Sequence, residues 1–281
     1  MKKKGLVLDG GGVFGIGQAH ILANVDTSKF DFFVGTSIGS VLASTLAHDV
    51  EIDYVDFFHT EMPNIFKTDM FHKYNPFNPK YPDKELKRAL QEVFGDSRKL
   101  MYAKKPLFIT SANLAEARLK VFNSEDLIDG NRILWEVLRS ATSAETYFEP
   151  FNGFADGGVF ANNPSMVAIA SACKILGCCV HDIQLCSIGT GSVPLLDNTL
   201  SQPNKNYTLF MWGKWLLKAL LGGASNSMHE YFVNSLPVDK HVRIDFKRES
   251  DWKMDSPKDM LKAEKAWELK IKQGIEIVKD F

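Results

Sequence analysis

Twice within the first fifty residues a short apolar run stops at glycines and gives way to helical spacing, and this repeat constrains the fold more than any other feature. Gly5-Leu6-Val7-Leu8 has strand length and ends at Asp9-Gly10-Gly11-Gly12; Val13 to Val25 then carries the apolar spacing of a buried helix. The pattern returns at Phe32 to Ala47, where Phe32-Phe33-Val34 leads through Gly35-Thr36-Ser37-Ile38-Gly39 into Val41-Leu42-Ala43. Consecutive strand, turn and helix units are the grammar of a parallel sheet, since parallel strands need a crossover and a helix is the usual one. Further strands are expected at Pro106 to Ser111, at Val121-Phe122 and at Ile183 to Ile188, with a helix over Leu127 to Ser140. The fold class is therefore α/β.

With 281 residues, 45% of them hydrophobic, the chain can bury a large core, and no Gly/Ser-rich or Pro-rich linker divides it, so one domain is expected. A net charge of -1 argues against nucleic acid as a partner, because neutralising phosphates shows as an excess of Lys and Arg. Lys2-Lys3-Lys4 resemble the start of a signal peptide, but Asp9 interrupts the apolar run too early, so the mature chain is expected to begin here. Phe210 to Ala224 is the longest greasy stretch; it carries Lys214 and Lys218 and falls short of the roughly 20 apolar residues that span a bilayer. A cytoplasmic protein, at most peripheral at a membrane, is the expectation. Cys173, Cys178, Cys179 and Cys186 fit neither a disulfide framework nor a zinc site and read as buried thiols in a reducing compartment.

Three segments carry candidate chemistry. Ser37 stands between Gly35 and Gly39 at a strand-to-helix junction, the layout of a nucleophile elbow, although ordinary turns share the pattern. Asp9-Gly10-Gly11-Gly12-Val13-Phe14-Gly15 opens a helix after the first strand, so its amides form an anion site. Gly10, Gly12 and Gly15 also satisfy a dinucleotide fingerprint, but Asp31, the candidate ribose acid, precedes the second strand rather than ending it. Asp156, ahead of Gly157 and Gly158, is the obvious partner for Ser37: a serine hydroxyl is a poor nucleophile until a base takes its proton. An ordinary Asp has a pKa of roughly 4, so geometry and oxyanion stabilisation must supply the rest. A Ser-His-Asp arrangement using His181, His229 or His241 is the rival within enzymes, and a nucleotide-binding or sensing module on the Gly10–Gly15 loop is the rival outside them. No metal or cofactor is expected, because no cluster of His or carboxylate ligands appears.

Three other stretches invite two readings each. Thr60 to Asp83 is irregular and rich in aromatics and prolines, fitting either a lid or membrane-facing lip, or a loop whose aromatics plug the core. Phe210 to Leu221 fits a core helix or an acyl-chain wall. Pro257 to Val278 sets Leu261, Trp267, Leu269 and Ile271 among lysines, as in a surface helix with one buried stripe; attraction of those lysines to a membrane is the lesser alternative.

Taken together, the glycine loop after strand one, the elbow serine after strand two and Asp156-Gly157-Gly158 followed by Ala161-Asn162-Asn163-Pro164 resemble the patatin-like phospholipases. Arg139 to Phe148 looks like the segment before that family's catalytic aspartate, and Ser187-Ile188-Gly189-Thr190-Gly191 like its later strand end. The resemblance implies a single-domain three-layer α/β/α fold with a mainly parallel sheet, residues 5–192 as catalytic core and 193–281 as a helical portion packed on the same domain. It implies hydrolysis of phospholipid or other acyl-ester lipids at a membrane surface by a Ser37–Asp156 dyad, with the amides of Gly10, Gly11 and Gly12 as the oxyanion hole and no histidine. Acyl transfer by the same serine is the close variant, and an unidentified activator is a reasonable expectation, since unrestrained lipid hydrolysis is toxic. Two positions depart from the family: Phe14, often basic there, and Glu145, where the family commonly has proline.

Overall fold

Apolar residues alternate strictly along the central strands between two separate cores, so both faces of the sheet are covered. The computed structural model describes residues 2–69, 78–192, 208, 211–212, 224–249 and 252–281. Its strands are β1 (Lys3–Leu8), β2 (Phe32–Thr36), β3 (Leu107–Asn113), β4 (Arg118–Asn123), β5 (Phe154–Asp156), β6 (Ile183–Ile188) and β7 (Lys240–Ile244). They form one sheet in the order β4-β3-β2-β1-β6-β7, with β5 added beside β3. Leu6, Leu8, Phe33, Leu107, Ile109, Cys186 and Ile188 enter one core, and the intervening Val7, Phe32, Val34, Phe108 and Leu185 enter the other. A period of two, apolar on both sides, is the signature of strands between two helical layers.

Among the described residues the helices are α1 (Ile16–Leu22), α2 (Ile38–Ala47), α3 (Tyr54–Ile65), α4 (Lys84–Phe94), α5 (Leu127–Gly130), α6 (Leu134–Ala141), α7 (Gly158–Ala161), α8 (Ser165–Ile175), α9 (Ala224–Ser235), α10 (Pro257–Ala266) and α11 (Glu268–Lys279). The larger core takes apolar residues from α1, α2, α3, α4, α6, α10 and α11; the smaller takes Ala161, Val167, Ala168, Ile169, Ala172 and Val233 from α7, α8 and α9. This is the expected α/β/α architecture. β1 pairs in parallel with β2 on one side and β6 on the other, and β2 with β3, so the chain reverses its direction of growth around β1. Sites in open α/β sheets form beyond the carboxyl ends of strands at such a switch point.

Several expectations are adjusted. Leu127 to Ser140 is two helices, because Ile133 bridges to Lys99 and the Leu134 amide donates to the Arg98 carbonyl, pairings that pull the chain out of helix between them. Residues beyond 192 are not only helical: β7 pairs in parallel with β6. Pro257 to Val278 breaks at Trp267, and its buried stripe is Met260, Ala263, Trp267, Ile271 and Val278, while Leu261 and Leu269 face solvent. Of the four free cysteines only Cys186 is fully buried; Cys179, in the turn after α8, is exposed. The Thr60–Asp83 stretch begins inside α3, with Pro63 in its last turn, and its described aromatics plug the core: Phe66 packs on Tyr81 and Phe148 at 5.4 and 6.0 Å between ring centres. Residues 70–77, and Phe210 to Leu221 apart from Met211 and Trp212, lie outside the described residues. No helix among those described is long and apolar enough to cross a membrane.

Candidate active site

Ser37 occupies the junction of β2 and α2 at φ 52° and ψ -127°, a left-handed backbone conformation that costs a non-glycine residue about 1–3 kcal/mol. The turn is held by Ser40, whose amide and hydroxyl donate to the Ser37 carbonyl at 2.9 and 2.5 Å. It is tight because α2 begins against β1: a methyl on Gly39 would run into the Leu8 carbonyl, and one on Gly35 into the Gly39 carbonyl and Ser40. Strain held by its surroundings at a serine that stays partly exposed is the geometry of an elbow.

Sheet register delivers the partner. Thr36 is the last residue of β2 and pairs with Thr110; where β2 stops, β5 takes its place along β3, pairing Asp156 with Ser111. The Ser37 hydroxyl lies near enough to the Asp156 carboxylate to favour its charged form, and the Gly158 amide donates to Asp156 Oδ1 at 2.8 Å. Asp156 is 4% exposed. Burial pushes its pKa up to about 6, with the nearby Ser37 hydroxyl and the bond from Gly158 pulling the other way. Its amide donates to the Ser143 carbonyl at 3.0 Å, and Ser143 in turn accepts from Arg139 Nη1 at 2.5 Å. Glu145 follows two residues later. Burial, then the charge of Asp156, raises its pKa to about 8, and its Oε2 has no partner among the described residues.

The glycine loop lies against the elbow, with a methyl on Gly10 reaching within 3.1 Å of the Ser37 Cβ. Of the three amides expected to bind an oxyanion, that of Gly10 is already engaged, donating to the Asn162 carbonyl at 3.1 Å. Those of Gly11 and Gly12 have no acceptor among the described residues. Gly12 sits at φ 57° beside the Met254 carbonyl, which accepts the Val13 amide at 2.9 Å, so a side chain there is both strained and obstructed. Thr190 Oγ1 donates to the Gly10 carbonyl at 2.5 Å and Asn162 Nδ2 at 3.3 Å. Gly15 lies against Phe58 of α3, and Gly157 against Thr110. Just before α8, Asn163 Oδ1 accepts from the Ser165 amide and hydroxyl at 3.0 and 2.6 Å.

Asp31 is elsewhere. Its carboxylate accepts from the Lys4 amide at 2.8 Å and Lys3 Nζ at 3.3 Å, at the opposite end of β1 from Gly10. Neither His181, exposed before β6, nor His241, on β7 with its pKa pushed down to about 4 by burial and the Arg243 charge, hydrogen-bonds Ser37 or Asp156, and the side chain of the third candidate, His229, lies outside what is described. Phe14 is fully buried, stacked on Trp252 at 6.3 Å and tilted against Trp267 at 5.9 Å, with the Arg248 guanidinium 4.8 Å from its ring centre. Sequence reasoning missed Arg243, which bonds to Asp9 in a bidentate pair from the last strand; nothing in Lys240-His241-Val242-Arg243-Ile244 signals a partner at residue 9.

The profile of the patatin-like phospholipases matches residues 6–169, more than half of the chain. The 85/88 kDa calcium-independent phospholipase A2 of Rattus norvegicus is 28% identical over 193 residues, an alignment covering 58% of this chain and 23% of that protein. A cGAMP-activated phospholipase of Vibrio cholerae is 26% identical over 287 residues, covering 85% of this chain and 80% of the relative. The crystal structure of VipD from Legionella pneumophila superimposes with a TM-score of 0.53 at 13% identity, covering 98% of this chain and 67% of that one, a likeness of fold. The chain thus spans under a quarter of the rat phospholipase and most of the bacterial one. With the profile covering the glycine loop, the elbow and Asp156 together, the chain belongs to the patatin-like phospholipase family.

Proposed function

We propose that the chain is a lipid acyl hydrolase of the phospholipase A or lysophospholipase type, working through a Ser37–Asp156 dyad. The observation that carries this reading is the Ser37 hydroxyl, on a backbone strained at φ 52°, set near a carboxylate that is 4% exposed and whose charged form it favours. Ser37 Oγ attacks the ester carbonyl as its proton passes to Asp156. The carbonyl oxygen becomes an oxyanion, met by the Gly11 and Gly12 amides, and Asp156 returns the proton to the departing alcohol. Water then attacks the acyl-enzyme, giving its proton to Asp156, and Ser37 is restored. Burial gives Asp156 more basicity than an exposed carboxylate while leaving it mostly ionised at pH 7, which suits a general base. Of the oxyanion donors expected from sequence, Gly10 is set aside because its amide is used by Asn162. The substrate is an acyl-ester lipid reached from the aqueous side of a membrane; acyl transfer to another alcohol uses the same acyl-enzyme. Turnover of phospholipid vesicles by the wild type, absent in Asp156→Asn of unchanged melting temperature, tests the reading.

A gated form of this reading is favoured by the near full-length similarity to a cGAMP-activated phospholipase. In it, a cyclic dinucleotide binds away from the glycine loop and turns hydrolysis on. Vesicle hydrolysis with and without a panel of cyclic dinucleotides distinguishes a gated enzyme from a constitutive one.

A further inference from the structure

At the carboxyl ends of β1, β6 and β7, one guanidinium reaches three separate holds on Gly10. Arg243 Nη1 and Nη2 donate to the two oxygens of Asp9 at 2.9 and 2.6 Å, and Asp9 is 1% exposed and directly precedes Gly10. The same Nη1 donates to Ser187 Oγ at 2.7 Å; that oxygen lies 3.2 Å from Ser165 Oγ, which bonds Asn163, the neighbour of the Asn162 carbonyl that holds the Gly10 amide. Nη2 is 3.4 Å from Asp245, whose Oδ1 accepts the Gly191 amide at 2.9 Å, next to the Thr190 that donates to the Gly10 carbonyl. Residue 243 lies outside the stretch matched by the family profile.

A buried ion pair is weak evidence for stability, because desolvating two charges offsets most of their attraction; its best-attested use is fixing register. Here the register in question is that of the glycine loop on Ser37. Sliding Gly10 by an ångström carries the Gly11 and Gly12 amides off the oxyanion, and oxyanion donors act only within hydrogen-bond distance. We propose that Arg243 is the positioning residue of the oxyanion loop: by clamping Asp9, Ser187 and Asp245 it fixes Gly10 against Ser37 and aims the next two amides at the reacting carbonyl. The inference rests on the dyad reading above, with Arg243 acting through the loop and touching no reacting atom.

A merely structural pair and a positioning pair separate in a double variant. Arg243→Met alone takes the bidentate guanidinium away from the buried Asp9 carboxylate, so both melting temperature and kcat fall. Asp9→Leu with Arg243→Met removes both charges and regains the melting temperature, as apolar replacements of buried ion pairs do. On p-nitrophenyl butyrate the positioning role predicts that kcat of this double variant stays at least about tenfold low, with KM changed less than about twofold. Amide exchange over residues 9–14 is faster than in wild type in both variants. Recovery of kcat together with melting temperature overturns the proposal, as does unchanged exchange at 9–14 in Arg243→Met. A Ser37→Ala control keeps the two readings apart: if it hydrolyses as well as wild type, the dyad reading fails, and exchange at 9–14 alone decides whether Arg243 clamps the loop.

Discussion

Asp156 stands beside Ser37 because β5 continues along β3 at the residue where β2 ends: Thr36 pairs with Thr110, and Asp156 with the next residue, Ser111. The proposed dyad is thus a matter of strand register. A slip of β5 by one residue would turn the carboxylate to the other face of the sheet.

Activity is expected to depend on the ionisation of Asp156. Burial raises its pKa to about 6, and the base must be charged to take the serine proton, so kcat/KM rises with pH through about 6 and levels above it. An acid limb near 4, where an exposed aspartate titrates, would show that Asp156 is not the base.

Stability carries the opposite pH dependence through Glu145. Its folded-state pKa, raised to about 8, lies above the ordinary carboxylate value, so the unfolded chain releases the proton first. Stability present at acid pH is lost as pH rises from about 4.5 through about 8; Asp156 acts in the same direction over its own window. Glu145→Gln cannot ionise, so its melting temperature is expected to gain on wild type at pH 9 and not at pH 4.5. Parallel curves for the two proteins would contradict this.

The glycine loop tolerates no side chain at position 12. Gly12→Ala places a methyl at φ 57° and against the Met254 carbonyl, so the loop must shift. Loss of oxyanion donors typically costs about a hundredfold to a thousandfold in kcat, and that is the range expected, with Ser37 still in place and the fold checked by circular dichroism. Turnover within a few-fold of wild type would remove these amides from the mechanism.

Phe14 is a core residue. Phe14→Ala is expected to cost about 3–5 kcal/mol of stability in denaturant titration, because it opens a cavity between Trp252 and Trp267. Phe14→Arg would bury a second cation beside Arg248 and is expected to be less stable still.

What was legible in the sequence is what local patterning encodes. Apolar runs closed by glycine marked β1 and β2, the Ile183–Ile188 strand matches its expected limits, and Ser37 and Asp156 stood out through their glycines. What was not legible depends on distant pairing. The break inside Leu127–Ser140 comes from Lys99 and Arg98, the occupation of the Gly10 amide from Asn162, and the clamp on Asp9 from Arg243. Leu261 and Leu269 looked like core in a stripe of period 3.6, but the helix breaks at Trp267 and both leucines turn outward. Tertiary contacts override local preference at such points.

The most direct test of the account is release of fatty acids and lysophospholipids, followed by mass spectrometry, when wild type and Ser37→Ala are incubated with vesicles of a mixed phospholipid extract, with and without cyclic dinucleotides. The account predicts release by wild type in at least one of these conditions, and a loss of about a thousandfold or more in Ser37→Ala of equal melting temperature. Equal release by the two proteins, or none from either under every condition while both remain folded, would contradict it.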